Sequence, residues 1–203
     1  SATEGNVIIE AEDAPDDEEL EEELTPLGIG FANAGMMGYG MSASLVTTPG
    51  SDDVIIRVNV AKGGGNSESI DVNLSEFDPK NATAVEMFAY CEYKDACGQG
   101  IKGHMGGSWS ALKSIVSPMD GMDFGSLDNI MNKKMNWTKA LSESDTSLEK
   151  VRTGEKITAA DLLALFEENN KMTSRDLKDS DDWRTMSDEA WDKMLEGIDK
   201  FIE

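Results

Sequence analysis

The clearest pattern along the chain is an alternation of hydrophobic and polar positions between Val54 and Leu74. Most of the hydrophobic residues are β-branched, and the glycine-rich segment 63–65 interrupts the alternation. A period of two around a flexible turn predicts a β-hairpin with one face toward a core. Because a lone hairpin is only marginally stable in water, we expect it to pack on helices or to gain a third strand. That strand would come from Val7–Ile9, from segment 27–50 or from another molecule.

The rest of the chain shows a helical period. Thr83 and Glu86 have the spacing of a capping box, and Val85, Phe88 and Ala89 form an apolar stripe behind them. These signals predict a helix near 82–96 that ends before Gly98. The same reasoning predicts further helices from Trp109 to Val116, from Ser126 through Leu141, after Thr158 and after Ser187.

We therefore expect an α+β fold, with an N-terminal β-hairpin of two or three strands packed on about five α-helices. The expected division is a disordered acidic arm (1–26), a Gly/Met-rich tether (27–50) and a single α+β domain (51–203). The tether begins with the uncharged run LGIGFANAGMMGYGMSAS at Leu27. Its length and glycine content exclude a membrane span, so we expect it to lie against the hairpin or the helices.

The charge of the chain limits its partners. The net charge is −22, and residues 1–56 contain thirteen acidic residues and no lysine or arginine. This distribution disfavours direct binding to nucleic acid or to an anionic membrane, both of which attract Lys and Arg. We therefore expect a protein partner, and a basic protein is one alternative. No signal peptide is recognisable, so we favour the cytoplasm, although the chain begins at Ser1 and secretion stays open.

Two sets of residues are candidates for chemistry. His104 is the only histidine, and with a nearby serine and an orienting carboxylate it would serve as a general base. The acidic segment between the last two predicted helices would offer oxygen ligands to Ca²⁺, although its spacing does not match an EF-hand. Its candidate ligands are Asp176, Asp179, Asp181 and Asp182. No cofactor is expected, nor is a disulfide between Cys91 and Cys97, which would point in different directions from one helix.

Flexible methionines and exposed aromatic residues suit an adaptable contact surface. The tether contributes several methionines and a tyrosine, and the acidic segment near the C-terminus contributes a tryptophan. The candidate partner-binding residues are Met36, Met37, Tyr39, Met41 and Trp183.

The stretch from Val54 to about residue 100 resembles a group of uncharacterised proteins from gut Clostridia. In that group a hairpin is followed by an Asp-Pro-x-Asn-Ala-Thr-x-x-Glu-Met-Phe-Ala segment, which here runs from Asp78 to Ala89. The resemblance implies a hairpin followed by helices and an anaerobic Gram-positive setting. It implies no activity.

Three hypotheses about function follow. The leading one is a non-enzymatic protein-binding module, because no set of catalytic residues converges in the sequence. The second is an enzyme or Ca²⁺-binding protein that uses His104 and loop carboxylates. The third is an acidic mimic of nucleic acid that binds a basic protein.

Overall fold

The computed structural model describes residues 21–117 and 122–167, together with Glu196. Within these ranges the chain forms a four-stranded antiparallel sheet and a small two-stranded sheet, accompanied by five α-helices, which confirms the α+β class. The strands are β1 (Glu23–Ala34), β2 (Met37–Thr47), β3 (Ile55–Gly63), β4 (Asn66–Asn73), β5 (Ser147–Glu149) and β6 (Lys156–Thr158). The helices are α1 (Ala84–Ala96), α2 (Gly107–Val116), α3 (Leu127–Asn132), α4 (Trp137–Ser142) and α5 (Ala159–Ala164).

Strands β3 and β4 are the predicted hairpin, joined through the glycine-rich turn. The alternation of apolar and polar residues in β3 reflects one buried face, as expected: Ile56, Val58 and Val60 are all fully buried against the helices. The hairpin is not the whole sheet, however. The order β1-β2-β3-β4 places two further strands beside β3.

Segment 27–50, which we expected to be a tether, supplies most of β1 and all of β2. Strand β1 also begins at Glu23, so it crosses the expected boundary between arm and tether. Strand β1 lacks a β-branched alternation because small residues, Gly28, Gly30 and Ala32, occupy its core-facing positions. A Cβ atom on Gly30 would lie 2.8 Å from Cε2 of Phe88 and 2.9 Å from Cδ1 of Trp109, so glycine lets both rings pack directly on the strand.

The predicted helix starts are confirmed at three N-caps. Thr83 and Glu86 form the capping box of α1, Ser126 caps α3, and Thr158 and Asp161 form a capping box on α5.

The predicted continuous helix from Ser126 through Leu141 is wrong, since the chain forms two short helices, α3 and α4, in its place. Between them, Met135 exchanges backbone hydrogen bonds with Ala82, and the side chain of Asn136 caps α4 by accepting from the N–H of Lys139. The tertiary pairing with Ala82 and the new cap together outweigh the helical period.

An aromatic cluster fills the centre of the core. The ring of Trp109 lies 5.9 Å from that of Phe88, 6.0 Å from that of Trp137 and 6.3 Å from that of Phe124, measured between centroids. Cys91 and Cys97 are not joined by a disulfide. None of the helices in the described ranges has the length and apolar character needed to cross a membrane. The possible strand Val7–Ile9 and the helix start predicted at Ser187 lie outside these ranges.

Candidate functional site

A cavity of about 520 Å³ lies beside His104. Two loops form it: residues 102–105 from the connection between α1 and α2, and residues 150–155 from the turn between β5 and β6. The backbone N–H of Val151 donates to the carbonyl of Gly103 at 3.0 Å, which ties the loops together. Gly103 has φ +86° and a Cβ atom there would lie 2.9 Å from Cγ of Lys150, so glycine suits the position on both counts.

Asp95, near the end of α1, anchors the first loop. Its carboxylate accepts a hydrogen bond from the backbone N–H of Ser108 at 3.0 Å and another from the Ser108 hydroxyl at 2.5 Å. The same hydroxyl oxygen accepts from the backbone N–H of Ile101 at 2.8 Å. Because Ser108 is fully buried, this network fixes both ends of the glycine-rich connection and positions the cavity-lining residues between them.

The predicted candidate His104 lines this cavity, and its Nε2 atom lies 3.3 Å from Oγ of Ser110. Partial burial lowers the pKa of the imidazole, so the ring is neutral at pH 7. The arrangement brings together a neutral base and a hydroxyl. No contact between His104 and a carboxylate is present in the part of the chain that the structure describes, so the orienting group of a catalytic triad is missing there.

The cavity is locally cationic although the whole chain carries a net charge of −22. Three basic side chains line it, from Lys102, Lys150 and Arg152, against a single carboxylate, that of Glu155. Nζ of Lys150 lies 3.3 Å from Oε2 of Glu155, so one of the three charges is partly compensated. An anion is therefore the ligand that this lining favours.

The expected calcium ligands Asp176, Asp179, Asp181 and Asp182 lie outside the described residues, as does Trp183. Across residues 21–117 and 122–167, no three His, Cys, Asp or Glu side chains form a group that could hold a metal ion.

The candidate partner-binding residues of segment 27–50 differ in how exposed their side chains are. Met36 is fully exposed at the turn between β1 and β2, and Met37 is half exposed beside it. Tyr39 is partly buried against the core, and Met41 is buried in it. Met41 is therefore not available to a partner in the folded protein, because its side chain faces the helices from the middle of the sheet.

The outer edge of β1 is covered. The carbonyl of Phe31 accepts hydrogen bonds from Nε1 of Trp109 at 2.9 Å and from Nζ of Lys113 at 2.5 Å. One pleat further along, the carbonyl of Asn33 accepts from the N–H of Phe124 at 2.8 Å. A hydrogen bond also fixes the turn between β1 and β2: the N–H of Gly35 donates to Oδ1 of Asp123 at 2.8 Å. These bonds occupy backbone groups that an added strand would need.

Among residues 21–117 and 122–167, no segment covers the outer edge of β4. The N–H of Leu74 donates to the carbonyl of Val54, so even-numbered residues of β4 point their backbone groups toward β3. The backbone N–H and C=O groups of Ser67, Ser69 and Asp71 therefore point away from the sheet. These three residues are exposed, and their outward backbone groups have no hydrogen-bond partner within the described ranges.

Comparison with known proteins adds no functional assignment: no protein-family model, curated protein or solved structure matches this chain.

Sequence reasoning selected His104 but missed its neighbours in the cavity. Lys102 is close to His104 in sequence, whereas Lys150 and Arg152 come from a hairpin almost fifty residues later. The hairpin is short and has little alternation, so its signal is weak. The open edge of β4 was equally hidden, because sequence pattern does not give the order of strands in a sheet.

Proposed function

We propose that this protein is a non-enzymatic protein-binding module that recognises an extended segment of its partner by adding it as a strand to β4. The observation that carries the proposal is the contrast between the two sheet edges. Side chains from α2 cover the edge of β1, whereas β4 presents outward backbone groups at Ser67, Ser69 and Asp71. Strand addition to an open sheet edge is a common mode of peptide recognition, with affinity supplied by main-chain hydrogen bonds.

The charges along this edge support an incoming strand. The Glu68 carboxylate lies 2.6 Å from Nζ of Lys62, and Asp71 accepts hydrogen bonds from Nε of Arg57 at 2.8 Å and Nη2 at 3.0 Å. Both acids of β4 are thus neutralised by cations of the neighbouring strand. A partner strand meets no strong local repulsion, and the overall charge of −22 favours a segment that also carries Lys or Arg.

A display library of linear peptides, selected on the full chain, tests the proposal. We expect enrichment of β-forming sequences with basic residues, whose binding weakens as salt is raised. On binding, the amide protons of Ser67, Ser69 and Asp71 should exchange more slowly, because they become donors to the added strand.

Ser69→Pro supplies the decisive variant, since proline removes an outward N–H that the sheet itself does not use. We expect affinity for the selected peptides to fall about tenfold, equivalent to about 1.4 kcal/mol. Ser69→Ala is the matched control, because both changes remove the contact between the Ser69 hydroxyl and Asn59. Equal binding to the proline and alanine variants would contradict strand addition at β4.

A second candidate function is hydrolysis at Ser110, favoured by the distance of 3.3 Å between its hydroxyl and Nε2 of neutral His104. Here the imidazole would accept the serine proton as general base. A fluorophosphonate probe should then label Ser110 in the wild-type chain, and labelling should be lost in both Ser110→Ala and His104→Ala. Failure of the wild-type chain to react would rule this activity out.

The acidic-mimic hypothesis depends chiefly on residues 1–20, which lie outside the described ranges.

A further inference from the structure

We propose that the cavity between loops 102–105 and 150–155 is a binding site for a small organic anion, with an oxyanion head group attached to an apolar body. This site is separate from the edge of β4, and no residue of β4 lines it. Its test is therefore independent of strand addition.

The positive charges of Lys102 and Arg152 indicate that the ligand carries an anionic head group. Lys102 and Arg152 form no ion pair with any other described residue. The same is true of Lys80, Lys133, Lys139 and Lys156 within the described ranges, but none of these four lines the cavity. The guanidinium of Arg152 can donate two parallel hydrogen bonds to a carboxylate or a phosphate, and Lys102 supplies a second positive charge. Two cations in one cavity that no carboxylate of the described residues pairs with favour binding of an anion.

The apolar body is assigned by the other residues of the lining. Met105 is 81% exposed and Val151 is 69% exposed, so both are among the most exposed large hydrophobic side chains in the described ranges. Both line this cavity beside the cations. Burying them under a ligand would recover hydrophobic free energy that solvent exposure forfeits. The combination selects an amphipathic anion over a bare ion.

The size and rigidity of the site fit such a ligand. A volume of about 520 Å³ is within the usual range for small-molecule sites. The two loops are joined by the hydrogen bond from Val151 to Gly103, and Asp95 holds the first loop through Ser108. The cations on the two loops are thus held near one another before a ligand arrives, which reduces the entropy lost on binding.

Calorimetric titration of the full chain with four probes tests the inference. Phenyl phosphate and benzoate carry both features, inorganic phosphate carries only the charge, and benzyl alcohol carries only the ring. We expect one or both aromatic anions to bind about tenfold more tightly than inorganic phosphate and benzyl alcohol, and a comparison of the two aromatic anions identifies the preferred head group. If neither aromatic anion binds more tightly than inorganic phosphate and benzyl alcohol, or if neither binds at all, the proposal is overturned.

Variants locate the site. Lys102→Gln and Arg152→Gln should each weaken the aromatic anion about tenfold, and Val151→Ser should weaken it without changing the affinity for inorganic phosphate. Lys80→Gln, which removes one exposed charge outside the cavity, is the matched control and should leave binding unchanged. Amide chemical shifts of Gly103 and Val151 should move on binding in the wild-type chain. An equal loss in Lys80→Gln, or shifts that move only elsewhere, would contradict the assignment.

Discussion

The indole N–H of Trp109 donates a hydrogen bond to the backbone carbonyl of Phe31 at 2.9 Å. This one contact joins the buried face of α2 to the edge of β1, and the ammonium of Lys113 donates to the same carbonyl. A residue that fills the core thus also helps to close one side of the sheet. Within the described residues, the edge that no such contact covers is that of β4.

Trp109→Phe should lower the free energy of unfolding by about 1–3 kcal/mol, because it removes this buried hydrogen bond and part of the aromatic packing. Urea unfolding monitored by circular dichroism measures the change. Trp109→Ala should cost more, about 3–5 kcal/mol, since it also removes the contacts with Phe88, Phe124 and Trp137. A phenylalanine variant as stable as the wild type would show that the bond to Phe31 contributes nothing.

Gly30→Ala should destabilise the protein by about 1–3 kcal/mol, because the added methyl group would overlap the rings of Phe88 and Trp109. Gly38 lies in the adjacent strand and provides the control. Its nearest neighbour would be Oδ1 of Asn33 at 3.5 Å, an ordinary contact, so Gly38→Ala should change stability by no more than about 0.5 kcal/mol. Equal effects of the two changes in urea unfolding would contradict this packing.

Glu86→Gln should reduce stability at neutral pH and have a smaller effect in acid. Burial alone would raise the pKa of Glu86, but hydrogen bonds from Lys134 and from the backbone N–H of Thr83 outweigh it and lower the pKa. A lowered pKa in the folded state gives stability that is present above the ordinary value and is lost as the pH falls through the folded one. Unfolding midpoints of both proteins, measured from neutral to acidic pH, should therefore converge. A constant difference would indicate that the charge of Glu86 is not involved.

Glu92→Gln should have the opposite pH dependence. Burial, followed by the negative charge of Asp95, raises the pKa of Glu92 well above its ordinary value, and its carboxylate packs against Gly28 of β1. The folded state then holds a proton that the unfolded state releases, so stability falls as the pH rises from the ordinary value toward the raised one. Glutamine stays neutral, and the variant should be the more stable protein at neutral pH.

That difference should disappear in acid, where Glu92 is protonated in both states. The exposed Glu76 provides a matched control for the same substitution. A loss of stability in Glu92→Gln at neutral pH would show that the charged form of this carboxylate is needed in the core.

The sequence by itself determined the elements whose signals are local. The capping box at Thr83 and the N-caps at Ser126 and Thr158 depend on residues within three positions of one another, so their spacing was sufficient. The alternation in β3 and its glycine turn were sufficient for the hairpin in the same way. The core positions Val85, Phe88 and Ala89 were also predicted correctly from the helical stripe.

Only the tertiary structure decided the features that join distant segments. Strand β1 lacks large apolar residues at alternating positions because Gly28 and Gly30 face helices that approach closely, a requirement set by Phe88, Glu92 and Trp109 far along the chain. The break between α3 and α4 arises from pairing with Ala82. The open edge of β4 follows from strand order, and the cationic cavity follows from two loops brought together by one hydrogen bond. Local spacing encodes none of these, because each depends on which distant surfaces the chain buries against each other.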